Sequence, residues 1–287
     1  MNALVNYFEH IPSLHRSIIF FSGLVVFFLI EGFVPLKSMN YRRGQHSWLN
    51  IFFMATSIVI NLLLAFLFLK TSDWVSANHI GLMPLLHIQN LLLSTLVGLM
   101  LMDLVGAWLI HFTEHKIKWM WRFHLIHHTD MHVDATTANR HHPGESIFRF
   151  AFTLLAVIIT GAPWWLIMFY QSLSVLLSQF NHANLNLPER LDKAMSWFIV
   201  SPNMHKVHHH YVLPYTDSNY GNIFSVWDRM FGTFHYLAPE KIVYGIDTHM
   251  SEHEHNRIGN LLKIPFQDYR APTVSKLRNS NSVERLA

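Results

Sequence analysis

The chain of 287 residues has no cysteine. Disulfides, thiolate zinc sites, iron–sulfur clusters and a cysteine nucleophile are therefore excluded. Any metal must be held by His, Asp or Glu. Charge is also scarce. Charged residues make up 14% of the chain, against about 25% in soluble domains. The net charge of +3 comes from dispersed basic residues, which gives nucleic-acid binding no support. The N-terminus lacks a charged start and a small-residue cleavage site, so the first apolar stretch reads as a retained anchor.

Apolar residues and histidine are abundant instead: 51% of the chain is hydrophobic, with 22 histidines. Three apolar runs reach the length of about 20 residues needed to span a bilayer. They are roughly 18–34, 48–69 and 88–110, the last carrying Asp103. A fourth region, 147–180, is interrupted by Gly161-Ala162-Pro163. Lys37, Arg42 and Arg43 follow the first run, and Lys116, Lys118, Arg122 and Arg140 follow the third. Only Lys70 lies between the second and third. The positive-inside rule then makes the first loop and everything after the third run cytoplasmic. The expected fold is all-α and membrane-integral: three long spans, a helical hairpin turned by Gly161–Pro163, and a cytoplasmic helical cap. Residues 1–87 would be an N-terminal membrane region, 88–245 the catalytic domain, and 246–287 an interfacial segment with a polar tail.

Thirteen of the 22 histidines lie between positions 111 and 210. His111 and His115 are four apart, hence on one helical face. His124, His127 and His128 form an H-x-x-H-H box, repeated 81 residues later by His205, His208 and His209. His182 stands in NHAN. Neutral imidazole is the commonest metal ligand among side chains. Nine imidazoles exceed the four of a structural zinc site, so the count points to two metals. Solvated surface histidines would show no helical spacing, and a storage loop would be low in complexity. For His182 alone, a hydrogen-bonded structural histidine is the competing reading. Glu114, Asp130, Asp134 and Glu145 suit the role of acceptors for imidazole N–H. Asp103, an ionisable residue within a span, is expected to act as a catalytic residue, toward the metals or along the substrate's path. Bridging helices is its alternative. Trp119, Trp121, Trp164 and Trp165 read as an interfacial belt. His10, His15, His46, His79, His87, His235, His249, His253 and His255 read as surface residues.

The run HFTEH, WMWRFHLIHHTD, DATTANRHHPGE, FNHANLNLP, SPNMHKVHHH, TDSNYGN and WDRMFGTF, over roughly residues 90–236, resembles the fatty acid hydroxylase/sterol desaturase superfamily. Phe112 departs from the basic residue often found there, and His210 extends the last box. Neither change removes a ligand. The resemblance implies a non-haem di-iron centre bound by the nine histidines above. It also implies O2-dependent hydroxylation or desaturation of a lipid. Arg140, His142 and Glu145 match its R-x-H-P-x-E element, and Asn184, Asp217, Asn219, Tyr220 and Asp228 match further positions. No electron-carrier motif is present, so a separate donor of the reductase, ferredoxin or cytochrome b5 type is implied. The membrane would be the bacterial inner membrane or, in a eukaryote, the endoplasmic reticulum. A membrane zinc transporter or sensor is the alternative, although transport ligands belong within the spans near midplane. The sequence leaves the lipid and the choice between hydroxylation and desaturation open.

Overall fold

A chain in hydrocarbon must satisfy its backbone N–H and C=O groups internally, which favours helices for the apolar runs. The structure is a computed structural model describing residues 1–272. The polar tail expected to fray after Pro272 lies outside the described residues. Four helical stretches are long and apolar enough to cross a membrane: Ser13–Phe33, Arg43–Leu86, Leu91–Lys116 and Pro143–Thr160. The elements begin with α1 (Asn2–Glu9), α2 (Ser13–Phe33), α3 (Arg43–Ala77) and α4 (Leu82–Leu86). There follow α5 (Leu91–Asp103), a π-helical stretch (Leu104–Leu109), α6 (Ile110–Lys116) and α7 (Lys118–His128). Next come α8 (Pro143–Thr160), α9 (Trp164–His182), α10 (Glu189–Met195) and α11 (Pro202–His208). Short helices α12 (Val226–Met230), α13 (Glu252–His255) and α14 (Ile258–Lys263) close the series. Among the described residues there is no strand. Extended pairing is limited to isolated bridges such as Ile199–Phe224 and His210–Tyr244.

The lateral surface is apolar and exposed. Val59, Leu62, Leu63 and Phe66 on α3 and Leu92, Leu93 and Leu96 on α5 point outward. Contiguous apolar surface on this scale is foreign to a soluble monomer and matches a lipid-facing one. The protein is a membrane protein. At 35 residues, α3 is about 53 Å long, well beyond the roughly 30 Å of a hydrocarbon core. It begins before the expected start at Trp48 because Ser47 is buried and His46 and Asn50 hydrogen-bond inside a polar layer.

The break at Gly161–Pro163 reverses the chain. The start of α8 lies at the histidines, where Glu145 meets His124. The end of α9 returns there, with His182 against His127. The two helices flank α5, and Leu99, Met102, Val157, Leu166 and Ile167 form the core between them. At the far end, Glu9 accepts from the Trp165 backbone N–H at 3.1 Å. Gly161 is left-handed, with φ 62°, and sits against the turn containing Gly81. A Cβ on Gly161 would collide with the Ile80 carbonyl oxygen, and one on Gly81 with the Gly161 backbone. Neither backbone can yield without displacing a helix end. Gly161→Ala should therefore lower stability by about 1–3 kcal/mol, the usual cost of overpacking. Gly44→Ala, where no atom lies within 4 Å of the added carbon, should change it little. Thermal unfolding of the two purified variants in detergent tests the difference.

Candidate metal centre

His111 and His115 project from α6 at the end of the third span. His124, His127 and His128 come from α7, His182 ends α9, and His205, His208 and His209 belong to α11 and its C-cap. All nine are buried. They form two groups in which the potential ligand nitrogens lie within 4.8 Å of one another: His111, His115, His124, His128 and His208, and His127, His182, His205 and His209. The two boxes are shared between the groups. The first gives its i and i+4 residues, His124 and His128, to the group of five and His127 to the group of four. The second gives His205 and His209 to the four and His208 to the five. Residues i and i+4 lie about 40° apart around a helix, while i+3 falls about 60° to the other side. An H-x-x-H-H box therefore serves two adjacent centres.

Hydrogen-bond acceptors outside the groups fix the tautomers, because a carbonyl or carboxylate can only accept. His111 Nδ1 donates to the Tyr220 carbonyl at 2.9 Å, and His124 Nδ1 donates to Glu145 at 2.8 Å. His115 Nδ1 donates to Asp217 at 3.2 Å. His182 and His208 donate through Nδ1 to the carbonyls of Ser178 and Ser218, at 2.7 and 2.6 Å. Each of these five rings, when neutral, therefore keeps its Nε2 lone pair for the interior.

Two of those lone pairs face each other, and a third meets two further imidazoles. His111 and His124 approach Nε2 to Nε2 at 3.2 Å, although both protons are committed to Nδ1. His182 Nε2 lies 3.1 Å from His127 Nε2 and 3.0 Å from His205 Nε2. Nε2 of His115, His128, His208 and His209 is buried with no partner. Buried polar atoms without partners are costly, and opposed lone pairs more so. A cation between the rings resolves both problems. Burial disfavours a proton there, pushing His124 down to about 3 despite the opposing pull of Glu145. Burial and then the neighbouring imidazoles hold His127, His128, His205 and His208 well below the ordinary value. The donor set fits metal ions.

Of the anticipated carboxylate acceptors, Glu145 does meet a ligand candidate. It also accepts from His141 Nδ1 and Arg149 Nε, both at 2.8 Å. Glu114 pairs with Arg149 at 2.7 Å. Asp130 and Asp134 instead hold His46, at 2.8 and 3.1 Å. His46, expected at the surface, is thus half-buried in this network, and no local spacing marks it. His249 is buried too. The His141 ring stacks on His127 with centroids 4.7 Å apart, a contact that no local spacing marks. Trp121 and Trp165 are core residues rather than belt residues; Trp121 packs on His115 at 4.6 Å. His142 caps α8, its Nδ1 accepting from Gly144 N–H. Arg140 is fully buried and donates to the Ile126 carbonyl and to Asn50.

Asp103 does not reach the histidines. Its carboxylate accepts from the Ile223 and Phe224 backbone N–H groups, both at 3.1 Å, and from the Trp227 indole at 3.2 Å. Those bonds anchor the loop whose Tyr220 carbonyl orients His111. Along an α-helix, positions 103 and 111 would be about 80° out of register. The wider π-helical turns between them advance less per residue and bring both onto the side of that loop. The structure thus gives the residue expected to be catalytic the contacts of a loop anchor. Asp228 clamps the same loop through the Tyr220 and Gly221 N–H groups at 2.8 and 2.9 Å. Lys206 ties down the other side, donating to the Ala183 carbonyl just beyond His182.

A buried centre of neutral imidazoles at one end of a bundle of apolar helices defines a membrane protein with a polyhistidine centre whose donors fit metal ions. Residues 95–233 match the fatty acid hydroxylase family. Three relatives illustrate its range. An ornithine lipid hydroxylase from Rhizobium tropici is 27% identical over 143 residues, covering 50% of this chain and 42% of that protein. An alkylglycerol monooxygenase from Xenopus tropicalis is 32% identical over 149 residues, covering 49% and 30%. A cholesterol 25-hydroxylase-like protein from Danio rerio is 27% identical over 127 residues, covering 44% and 49%. The chain spans less than half the length of each relative. No solved structure matches.

The depressed histidines make stability depend on pH. Below about 6.5, the ordinary histidine value, the unfolded chain gains protons that the folded metal-free centre excludes. Stability is therefore lost as pH falls from 6.5 toward the folded values, about 3 for His124. Each excluded proton contributes up to about 1.4 kcal/mol per pH unit. Metal-depleted protein should melt at progressively lower temperature from pH 7 to pH 5, and loading with metal at pH 7 should raise the melting point. A flat profile in metal-depleted protein would contradict the neutral, excluded state of these rings.

Proposed function

We propose that this protein is a lipid oxygenase that hydroxylates, or desaturates, a C–H bond of a membrane lipid at a di-iron centre. The observation that carries the reading is the pair of histidine groups whose Nε2 atoms converge. The relatives, all lipid hydroxylases or monooxygenases by name, favour O2 chemistry over transport, and the zinc-transporter alternative finds no support among them. His111, His115, His124, His128 and His208 would hold one iron and His127, His182, His205 and His209 the other. Bound there, iron would supply the oxidant, one oxygen atom entering the substrate or its hydrogens being removed, with O2 reduced to water by electrons from a separate donor.

The chain's own residues would hold the ligands in place. Glu145, Asp217 and the carbonyls of Ser178, Ser218 and Tyr220 orient imidazoles through Nδ1. Acceptors of this kind fix ring orientation and raise ligand basicity. The fully buried Glu114 and Glu145 offset charge beside the first group. Asp103 is a positioning residue for His111 in this reading. The lipid's apolar part would lie along the exposed helices, so its oxidised carbon reaches the centre from the bilayer side.

Protein purified from iron-supplemented cells should carry close to two irons per chain and consume O2 with a chemical reductant and a suitable lipid. Lipid profiles of cells with and without the gene identify that lipid. His127→Ala and His208→Ala should abolish turnover and lower metal content. Asp103→Ala leaves three buried donors without an acceptor. It should cost on the order of 3 kcal/mol and weaken metal retention, while Asp103→Asn restores part of both. A folded protein holding one tightly bound metal and showing no O2 uptake would overturn the reading.

A further inference from the structure

The site end of the bundle carries an apolar surface that the metal centre does not use. Trp197 is 62% exposed, Phe198 75%, Met230 65% and Phe231 52%. They come from two segments held side by side: the Phe198 carbonyl accepts from the Ser225 N–H at 3.3 Å, and Arg229 donates to the Ser196 carbonyl at 3.1 Å. The Ile199–Phe224 bridge fixes the same pairing. The patch is thus one rigid surface, not two loose loops.

Its position identifies what covers it. The Phe231 ring packs on Trp108, centroids 4.5 Å apart, and Trp108 stacks on Phe112 at 5.1 Å. Trp108, buried, and Phe112, half-buried, belong to the third spanning stretch, Leu91–Lys116, so the patch abuts the site end of that span. Cations rim it: the Arg229 guanidinium lies over the Trp197 ring at 4.0 Å, and Lys193 is exposed on α10. Exposed aromatic side chains beside cations are the composition of a segment lying in a membrane interface, where basic groups can reach the phosphates. A soluble protein partner would need no continuity with a membrane span.

We propose that 191–198 and 230–231 form a membrane-dipping rim, with the side chains of Trp197, Phe198, Met230 and Phe231 immersed in the leaflet on the side of the metal centre. The rim would sink its apolar groups about 5–10 Å into the headgroup–acyl boundary. Tyr220 touches both Trp108 and His111, with ring centroids 6.2 and 5.5 Å apart. Acyl chains beside the rim would thus lie two side-chain layers from the first histidine group. The immersion itself does not depend on the oxygenase reading.

The absence of cysteine makes the test direct. Single-cysteine variants Phe198→Cys, Met230→Cys and, as a polar control, Glu240→Cys are labelled with a nitroxide. They are then reconstituted into vesicles of phosphatidylcholine and phosphatidylglycerol. Power saturation compares collisions with O2, which partitions into lipid, and with a nickel chelate, which stays in water. Labels at 198 and 230 should favour O2 several-fold over the chelate, and the label at 240 should show the reverse. Free access of the chelate to 198 and 230 would overturn the proposal. So would protection of both from O2 and chelate alike, the sign of a second copy or another protein covering the patch. Oxygenase activity is not part of the readout, so failure here is distinct from failure of the functional reading.

Discussion

The structure depends on where nine imidazoles keep their protons. Five of them give Nδ1–H to an acceptor outside the cluster, and for His111 and His124 that choice leaves two Nε2 lone pairs opposed at 3.2 Å in a buried space. Such an arrangement is repulsive by itself and needs a cation at its middle. Much of the surrounding polar structure serves this constraint. Asp217 and Glu145 accept directly. Asp103 and Asp228 act at one remove, by fixing the loop that offers the Tyr220 carbonyl. Lys206 does the same for the end of α9.

This requirement also explains the membrane architecture. The nine histidines come from α6, α7, α9 and α11, so the chain must return to one end of the bundle after each excursion. The Gly161–Pro163 turn makes that return possible between α8 and α9. Its fit against Gly81 couples the distant end of the bundle to the position of His182. The extra length of α3 has a related cause. Its lower part faces lipid, while its first turns carry His46 and Asn50 into the polar layer beneath the histidines. A helix that only spanned would leave Asp130 and Arg140 without these partners.

The division of each H-x-x-H-H box between two groups shows how a short motif supplies two centres at once. Two such helical segments facing each other give crossed contributions, and neither group is complete without both. Loss of one box would therefore disable both centres.

Much of this was legible in the sequence by itself. Runs of apolar residues at spanning length, the i, i+3, i+4 spacing of the histidines and the lack of cysteine determined an all-helical membrane protein with a polyhistidine centre. These are local properties, set by helix geometry and by side-chain chemistry. The tertiary structure decided which histidines join which group, because that depends on how α7 and α11 face each other. It drew His46, His141 and Asp217 into the network through contacts spanning up to 102 residues, which no local spacing encodes. It also turned Asp103 from an expected participant in the chemistry into the anchor of a loop. A carboxylate takes its role from the donors that reach it, and here those donors come from positions 223–227, more than a hundred residues along the chain.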